Sequence, residues 1–515
     1  MPKPLPATVL AIVPVCVVVL ALSFVKVLGA FHADPDYAYL LNSLNVLSIR
    51  SPAHFDHPGT TLHLWGAIVI GAVWVARWPF VQIPFQIDVM LYPEFYLRCI
   101  NTTLAALIGG ATFVVGLTFY ASTKSLAISA AAQASLLVSF PVMLALPGVT
   151  PEPLLLCLTL ILVALLAPLI VAGTVETPGR AITVGVVFGA CLVTKITSGP
   201  LAPLLFLFQT WRARLIAVAA AFVAMAALTL PVAKHYGRML RWFARLLIHK
   251  GVYGTGHVGL PSWPDIGERL VQISRATPEI IISLLVCVAM LFVCIKDRRS
   301  LWLFAICAAI LSLQLAAVAK HPGVDVGNGV IIRYLLPAAA VVALVIGAVC
   351  HRLHGKIAVF CVLGVGLSAG IWHNTRAVLV WLQDGYAAER ESAALLNQIS
   401  HSGCAAVPYY GAQTQEFKLS FGNLLAGGTF AWLLTEEYPG FLSYDVWSAH
   451  FEAYDHVLNP AEVQHRFAGK QCVYVVGWPI ELFTFGVPSE ALRLIARTRH
   501  NFGMAFAVYN YDLRR

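Results

Sequence analysis

The chain has 515 residues, of which 59% are hydrophobic and only 11% are charged, and its formal net charge is +9. An ordinary soluble domain has roughly 25% charged residues, so this composition excludes a soluble protein and indicates a polytopic membrane protein. Lys and Arg fall mostly in short connections between apolar runs. The positive-inside rule accounts for them there without a nucleic-acid partner.

The first apolar run, residues 8–30, is long enough to cross a membrane and too long for the apolar part of a signal peptide. We therefore expect a retained span with Lys3 on its cytoplasmic side. Ten later runs predict further spans. They lie near residues 99–120, 126–146, 153–172, 181–198, 200–210, after TWRARL up to Pro231, 279–295, 300–319, 331–350 and 356–373.

The apolar segment 62–80 is interrupted by Arg77 and has an aromatic and basic end. This pattern favours a helix that lies in the membrane interface or is only half inserted. If the segment does not cross, all the basic turns fall on one side, and the count is eleven spans with the N-terminus inside and the C-terminus outside. The membrane module is then 1–373, with a first external loop at 31–80 and a long external loop at 234–278.

After His373 the composition becomes that of a soluble domain, and residues 374–515 are predicted to form a small extracytoplasmic α/β domain. Cys404 and Cys472 lie in it and can pair if the domain is exported. The predicted fold class is thus an all-α polytopic membrane bundle with a small C-terminal α/β domain. Its helix is expected in ERESAALLNQIS, and its strands in GCAAVPYYG, KQCVYVVGW and FGMAFAVYNYDL.

The first external loop, ADPDYAYLLNSLNVLSIRSPAHFDHPGTTLH, is unusually rich in ionisable groups, with Asp34, Asp36, Asp56 and His57. Proline favours the first turn of a helix, so Asp34 can simply cap a helix through YAYLLNSLNVL. Asp36 would then lie in the first turn at the membrane boundary, where a carboxylate can abstract a proton or bind a divalent ion. Asp56 and His57 return to the same surface.

Further ionisable groups lie at the ends of spans on the same predicted side: Glu152, Lys195, Lys320 and Arg333. Charges near lipid are costly, about 2.5–3.5 kcal/mol each at mid-bilayer, so their collection on one face indicates a site. The alternative for the cations is that they only extend to the membrane interface.

The long connection contains Arg238, Arg241 and Arg245 at helical spacing beside apolar residues. This spacing predicts an amphipathic helix on the outer leaflet or, equally, a solvated basic face. Lys250, Tyr253 and His257 follow in a glycine-rich stretch and are weaker site candidates.

Four stretches resemble the C-type (GT-C) membrane glycosyltransferases that use polyprenyl-phosphate sugars, such as protein O-mannosyltransferases and the aminoarabinose transferases of lipid A. They are DPDYAYLL and FDHPGTTLH in the first loop, LVTKITSGPLAPL around Lys195, and IIRYLLPAAA around Arg333 and Tyr334. Their order and spacing extend the resemblance over nearly the whole membrane region, although each motif is short. Many relatives have Glu beside the loop Asp, and HPP in place of the HPG found here.

The resemblance implies that a first-loop carboxylate acts as the base on the acceptor. Asp36, with Tyr39, fits the family's acidic-aromatic pattern best, and Asp34 is second. A departing phosphate also needs cations. Lys195 and Arg333 are the first candidates for that role, with Tyr334 and Lys320 beside them.

The resulting hypothesis is an inverting glycosyltransferase of the inner (cytoplasmic) membrane that acts at its outer face. It would transfer a sugar from a polyprenyl phosphate to a lipid-linked glycan, a polysaccharide or a protein. The resemblance implies no cofactor; a divalent ion between Asp34 and Asp36 is the alternative. A transporter or lipid flippase is the rival function, although the chain shows no inverted repeat. A non-catalytic scaffold leaves the charged first loop unexplained.

Overall fold

The computed structural model describes residues 4–23, 36–55, 59–146, 148–250, 256–320, 332–353, 357–409, 414–445, 448–477, 492–497 and 507–511. Helices dominate this part of the chain, and strands are found in its C-terminal region. The helices before residue 200 are α1 (Pro4–Ser23), α2 (Asp36–Leu47), α3 (Thr60–Val81), α4 (Phe85–Leu91), α5 (Pro93–Thr123), α6 (Leu126–Ala134), α7 (Phe140–Ala145), α8 (Pro151–Val171) and α9 (Pro178–Thr194).

The later helices are α10 (Trp211–Thr229), α11 (Tyr236–Ile248), α12 (Trp263–Ala276), α13 (Pro278–Val293), α14 (Arg298–Ala319), α15 (Leu336–Arg352), α16 (Ile357–His401), α17 (Gln415–Leu425), α18 (Ala431–Glu437) and α19 (Pro460–Arg466). The 3₁₀ segments are Ser135–Val138, Ile196–Leu207, Leu230–His235 and Ile332–Leu335. The strands are β1 (Ala405–Pro408), β2 (Ser443–Asp445), β3 (His450–Glu452), β4 (Val473–Gly477), β5 (Leu492–Arg497) and β6 (Ala507–Tyr511).

The predicted fold class, a polytopic helical bundle with a small C-terminal α/β region, is confirmed. The predicted number of eleven spans is not reproduced among the described residues. Seven helical segments there are long and apolar enough to cross a membrane, or eight if α12 and α13, which meet at a bend of 101°, count as one. Three predicted spans are instead shorter apolar segments, at Leu126–Val138, Pro178–Thr194 and Ile196–Leu207.

The segment predicted at 62–80 to lie in the interface forms one helix, α3, of 22 residues. A span of the hydrocarbon core needs about 20 apolar residues, so α3 is long and apolar enough to cross. Pro79 lies inside the helix, and the helix continues to Val81. The predicted outer position of the C-terminus assumed that this segment does not cross the membrane. The length of α3 does not support that assumption.

By their contacts, the described residues divide into two compact units, and the boundary after residue 378 lies within α16. The first unit, 1–25, 55–64 and 100–378, contains most of the apolar helices. The second unit groups 26–54 and 65–99 with 379–515. The sequence analysis predicts a different boundary, with residues 1–373 as the membrane module.

Within the first unit, α9 and α10 approach closely because glycine and alanine line their contact. Gly189 faces Ala221 and Ala224, and a Cβ at Gly189 would lie 2.5 Å from the carbonyl oxygen of Ala221. Gly185, one helical turn earlier, faces Ala217 in the same way. Such small residues let apolar helices pack tightly in a membrane, where burial from water supplies no driving force.

The second unit contains a four-stranded sheet in the order β1-β4-β6-β5, with β1 and β4 parallel and the other pairs antiparallel. The strands predicted around 405, 473 and 507 are confirmed. Val407 pairs with Val475, and both are buried in the core of this sheet. Cys404, which precedes β1, forms a disulfide with Cys472, which precedes β4. The covalent link therefore joins the starts of two paired strands.

The side of the membrane on which the C-terminal region lies can be tested with a reporter enzyme that is active only outside the cytoplasm, fused after Arg515. We expect an active fusion, because disulfides form in oxidising compartments and Cys404 pairs with Cys472. An inactive fusion, together with reduced cysteines in the fused protein, would place this region inside.

Candidate functional site: a buried ion cluster

Two helices of the first unit bring opposite charges to the same end of the bundle. Glu152 lies in the first turn of α8, and Lys195 is the residue that ends α9. The two helices are antiparallel neighbours joined by a short turn, so the start of one lies beside the end of the other. A carboxylate is favoured at a helix N-terminus and a cation at a C-terminus, so both helix dipoles stabilise this placement.

Glu152 and Lys195 form an ion pair between Oε1 and Nζ, and both side chains are almost fully buried. The Nε of Arg333, also buried, lies 3.5 Å from the same oxygen of Glu152. The Tyr334 ring lies below both cations, with its centroid 4.6 Å from Lys195 Nζ and 5.3 Å from Arg333 Cζ. We call these four residues, Glu152, Lys195, Arg333 and Tyr334, the ion cluster.

The backbone on both sides of the ion cluster is held by Gln314 of α14. Its Nε2 donates to the carbonyl oxygen of Tyr334, at 2.6 Å, and to that of Thr197, at 3.1 Å. Beside Lys195, the hydroxyl of Thr194 contacts that of Thr61 at 2.8 Å. Gln314 is fully buried. The sequence analysis missed it because a single polar residue in an apolar helix carries no spacing signal.

The 3₁₀ segment that follows Lys195 has a direct cause in its sequence. Pro200 and Pro203 lie inside it, and each lacks the N–H that an α-helical ladder needs. The chain after Ile196 therefore does not continue as an α-helix, and the backbone of Lys195 itself is extended. This change of direction ends α9 at the residue whose side chain enters the ion cluster.

The ion cluster contains two formal positive charges and one negative charge in a buried setting. Transferring ions from water costs several kcal/mol each, so such a cluster is retained only when its members are well paired. A guanidinium and an ammonium that converge in this way match the oxygens of a phosphate group. This is the chemistry that the sequence analysis assigned to Lys195 and Arg333.

The remaining predicted site residues are one donor-phosphate candidate, Lys320, and several other candidates. Lys320 does not join the ion cluster, because its Nζ donates to the carbonyl oxygens of Leu246 and Leu247 at the end of α11. Lys250 and His257 have exposed side chains and are joined to each other by a backbone hydrogen bond of 2.8 Å. The predicted residues Asp34, Asp56, His57 and Tyr253 lie outside the described part of the chain.

The amphipathic helix predicted from Arg238, Arg241 and Arg245 is confirmed as α11. In the first unit, it packs Met239 against Phe55 and Val232. The guanidinium carbon of Arg238 lies 5.1 Å from the centre of the Phe55 ring. The arginines therefore lie on a helix with one apolar side, as expected for an interfacial helix.

Asp36, the first choice as base, is the first residue of α2 and is fully buried. In the second unit, α2 packs against α17, where a Cβ at Gly422 would lie 2.8 Å from the Tyr37 backbone. Asn42 and Asn45 of α2 donate to the carbonyl oxygens of Leu425 and Ala426. The helix predicted in the first loop is thus fixed to the C-terminal region.

The surroundings of α2 are acidic and poorly hydrated. Burial raises the pKa of Tyr37 well above its ordinary value, and the carboxylates of Glu94 and Asp36 raise it further. Downstream, the Asn42 side chain accepts from the backbone N–H groups of Ala53 and His54. These contacts close the loop back onto α2.

Sequence analysis also missed a second buried carboxylate in this unit. Asp88 accepts two 2.8 Å hydrogen bonds from Arg77 and one from the Tyr96 hydroxyl. Burial would raise the pKa of Asp88, but the hydrogen bonds from Arg77 and Tyr96 lower it below its ordinary value. The arginine taken to interrupt a membrane segment is thus the partner of this carboxylate.

Among the described residues, one set has the donor atoms for a metal ion: Asp445, His450 and Glu452. His450 Nε2 lies 2.8 Å from Glu452 Oε1 and 4.0 Å from Asp445 Oδ2. All three are partly exposed on the β2–β3 pair. A histidine placed between two carboxylates can also form ion pairs with them. We therefore assign no metal to this set.

No family model and no curated protein sequence matches the chain. A solved structure to which it is similar is ArnT from Cupriavidus metallidurans bound to undecaprenyl phosphate. The two chains are 12% identical with a TM-score of 0.49, and the comparison covers 96% of this chain and 97% of that one. Identity at this level does not show which donor or acceptor a chain uses.

Replacing Glu152 by Gln tests whether the ion cluster stabilises the fold. The change keeps the shape but removes the carboxylate that Lys195 and Arg333 share, so we expect a loss of about 3–5 kcal/mol of unfolding free energy. Chemical unfolding of the purified protein in detergent measures it. Adding Lys195→Met to Glu152→Gln should recover part of the loss, because it removes one buried cation.

The matched control is Glu94→Gln, which breaks the Glu94–Arg98 pair, 3.6 Å long and about half exposed. An exposed pair contributes at most about 1 kcal/mol. Equal effects of Glu152→Gln and Glu94→Gln would contradict a stabilising ion cluster.

Proposed function

We propose that this multi-pass membrane protein is a GT-C type glycosyltransferase that transfers a sugar from a polyprenyl phosphate to an extracytoplasmic acceptor, with inversion at the anomeric carbon. The observation that carries the proposal is the ion cluster, because a buried Lys195 and Arg333 converge on one carboxylate. The sequence motifs around these two residues are those that resemble the GT-C family.

In the proposed reaction, the donor's phosphate is the leaving group and gains negative charge as the bond to the sugar breaks. Preorganised cations stabilise such charge most where water is excluded, and Lys195 and Arg333 are buried. Glu152 would act as a positioning residue that fixes both cations before the donor arrives. Gln314 supports the same geometry through the Tyr334 and Thr197 carbonyls.

The acceptor must lose a proton as it attacks, and a positioned carboxylate typically contributes 10²–10⁴-fold to such a step. We assign this role to Asp36, with Asp34 as the alternative. Asp36 is held at the start of α2, and α2 is fixed to α17 of the C-terminal region. The C-terminal region would therefore set the position of the base and help to select the acceptor.

One direct displacement by the acceptor inverts the anomeric centre and needs no covalent sugar–enzyme intermediate. The base and the two cations suffice for this reaction, and we propose that it requires no cofactor. The acceptor would be a lipid-linked glycan, a polysaccharide or a protein. The reaction would take place at the outer face of the inner membrane.

The test is transfer of a labelled sugar from polyprenyl phosphates to a crude envelope acceptor fraction by the purified full-length protein. Asp36→Asn should lower the transfer rate by about 10²–10⁴-fold while the protein remains folded. Asp455→Asn serves as the control and should leave the rate unchanged, because Asp455 is an exposed partner of His456.

Two outcomes would contradict the proposal. Full activity of a folded Asp36→Asn variant would remove Asp36 as the base and assign the role to Asp34. Absence of transfer from every polyprenyl-phosphate sugar, together with substrate counterflow in vesicles, would instead establish the rival function, a transporter.

A further inference from the structure

A second group of cations lies in the first unit, around a cavity of about 460 Å³. Arg214 from the first turn of α10 and Arg298 and Arg299 from the start of α14 line it. Pockets for small ligands typically have about 300–1,000 Å³, so the cavity has the size of a ligand site. Neither the sequence analysis nor the proposed reaction uses it.

The cavity lies at the opposite end of α8 from the ion cluster. Ile170, near the C-terminus of α8, lines it, while Glu152 is in the first turn of the same helix. At 1.5 Å per residue, these positions are about 27 Å apart along the helix, close to the roughly 30 Å of a hydrocarbon core. The first unit therefore has a cationic site at each end of α8.

Arg214, Arg298 and Arg299 have no carboxylate partner among the residues that the structure describes. Asp297, next to them in sequence, is paired with Arg352 and accepts from the Ser300 hydroxyl. The other nearby carboxylate, Glu176, accepts hydrogen bonds from the backbone and hydroxyl of Thr210.

Three positive charges around one cavity repel each other. Their positions in the first turns of helices add to this unfavourable electrostatic energy. A cation in the first turn of a helix opposes the helix dipole, whereas an anion there is favoured. Arg298 and Arg299 begin α14, and Arg214 lies in the first turn of α10. The two helix N-termini already have side-chain caps, since Asp297 accepts from the Arg299 N–H and Thr210 accepts from the Ala213 N–H. An anion in the cavity would therefore compensate the arginine side chains.

Arg299 lies beside a glycine in a backbone conformation that other residues rarely adopt. Gly173, after α8, has a φ of +66°, and a Cβ there would lie 2.7 Å from Arg299 Nη1. Arg214 is held in turn by a hydrogen bond of 2.7 Å from its Nε to the Phe208 carbonyl oxygen. Arg214 is thus held by local structure and Arg299 is partly buried beside Gly173, whereas Arg298 is exposed at the edge of the cavity.

The remaining wall is apolar and includes Ile170, Trp302 and Leu303. A small inorganic anion would leave this surface unused, whereas a lipid would cover it with its chains. We infer that the cavity binds the headgroup phosphate of an anionic phospholipid, with the arginines on the phosphate and the acyl chains along the apolar wall. Guanidinium groups suit phosphate oxygens, and basic pockets between membrane helices bind anionic headgroups.

The test compares the lipids retained by the full-length protein, using native mass spectrometry after exchange into phosphatidylglycerol or phosphatidylethanolamine. The variant is the double substitution Arg298→Gln with Arg299→Gln. The matched control is Arg212→Gln, which removes an exposed arginine from the start of α10 outside the cavity. Thermal unfolding of each protein shows whether it is folded, and Arg214→Gln provides a second cavity variant.

We expect the wild type and Arg212→Gln to retain phosphatidylglycerol at least about tenfold better than the cavity variants, since each cavity variant loses charged hydrogen bonds to the headgroup phosphate. Equal losses in Arg212→Gln would show general surface attraction and overturn the inference. Equal retention of phosphatidylethanolamine by the wild type would do the same. Displacement of the lipid by millimolar inorganic phosphate would show a small-anion site instead.

Discussion

The buried pairing of Glu152 with Lys195 and Arg333 is the constraint on which the rest of this structure depends. Removing one partner of a buried pair typically costs 3–5 kcal/mol, whereas replacing the whole pair by apolar residues is often neutral or stabilising. Apolar residues at these positions would therefore be compatible with a stable fold. In the proposed function, the charged groups at these positions instead serve to bind the donor's phosphate.

The placement of the ion cluster follows from elementary features of the chain. Helices α8 and α9 are antiparallel, and their dipoles favour a carboxylate at the start of one and a cation at the end of the other. Pro200 and Pro203 then keep the segment that follows Lys195 out of an α-helix. Gly185 and Gly189 allow α10 to pack closely on the same helix. The apolar bundle thus supports a small polar centre at one end.

Sequence reasoning recovered the parts whose physical signal is local. Hydropathy predicted the helical bundle, and residue alternation predicted three strands of the C-terminal sheet. Charged residues at the ends of spans indicated Glu152, Lys195 and Arg333 as site candidates. Among the described residues, sequence reasoning predicted long spans where the structure has shorter apolar segments, because length was judged from apolar composition alone. For example, the segment predicted at 126–146 is broken at Ser135–Val138 into shorter helices. Sequence reasoning also did not identify the partner of Arg77, because its contact with Asp88 forms only in the folded structure.

The packing of α2 against α17 could not be derived from sequence, since residues about 380 apart meet there through Asn42 and Asn45. This contact changes the interpretation of the first loop. In sequence it is a polar insert between apolar runs, whereas in the structure its helix belongs to the same compact unit as the C-terminal sheet. A change in the C-terminal region can therefore alter the position of Asp36 without touching it.

The central claim is that the ion cluster binds the phosphate of a polyprenyl donor. Equilibrium binding of polyprenyl phosphate to the purified protein tests it most directly, with Lys195→Met compared to Lys320→Met. Lys320 is the matched control because it contacts backbone carbonyls at the end of α11. The account predicts that Lys195→Met weakens binding at least about tenfold, the loss of one charged contact, and that Lys320→Met leaves it unchanged. Equal affinities of the two folded variants would contradict the account.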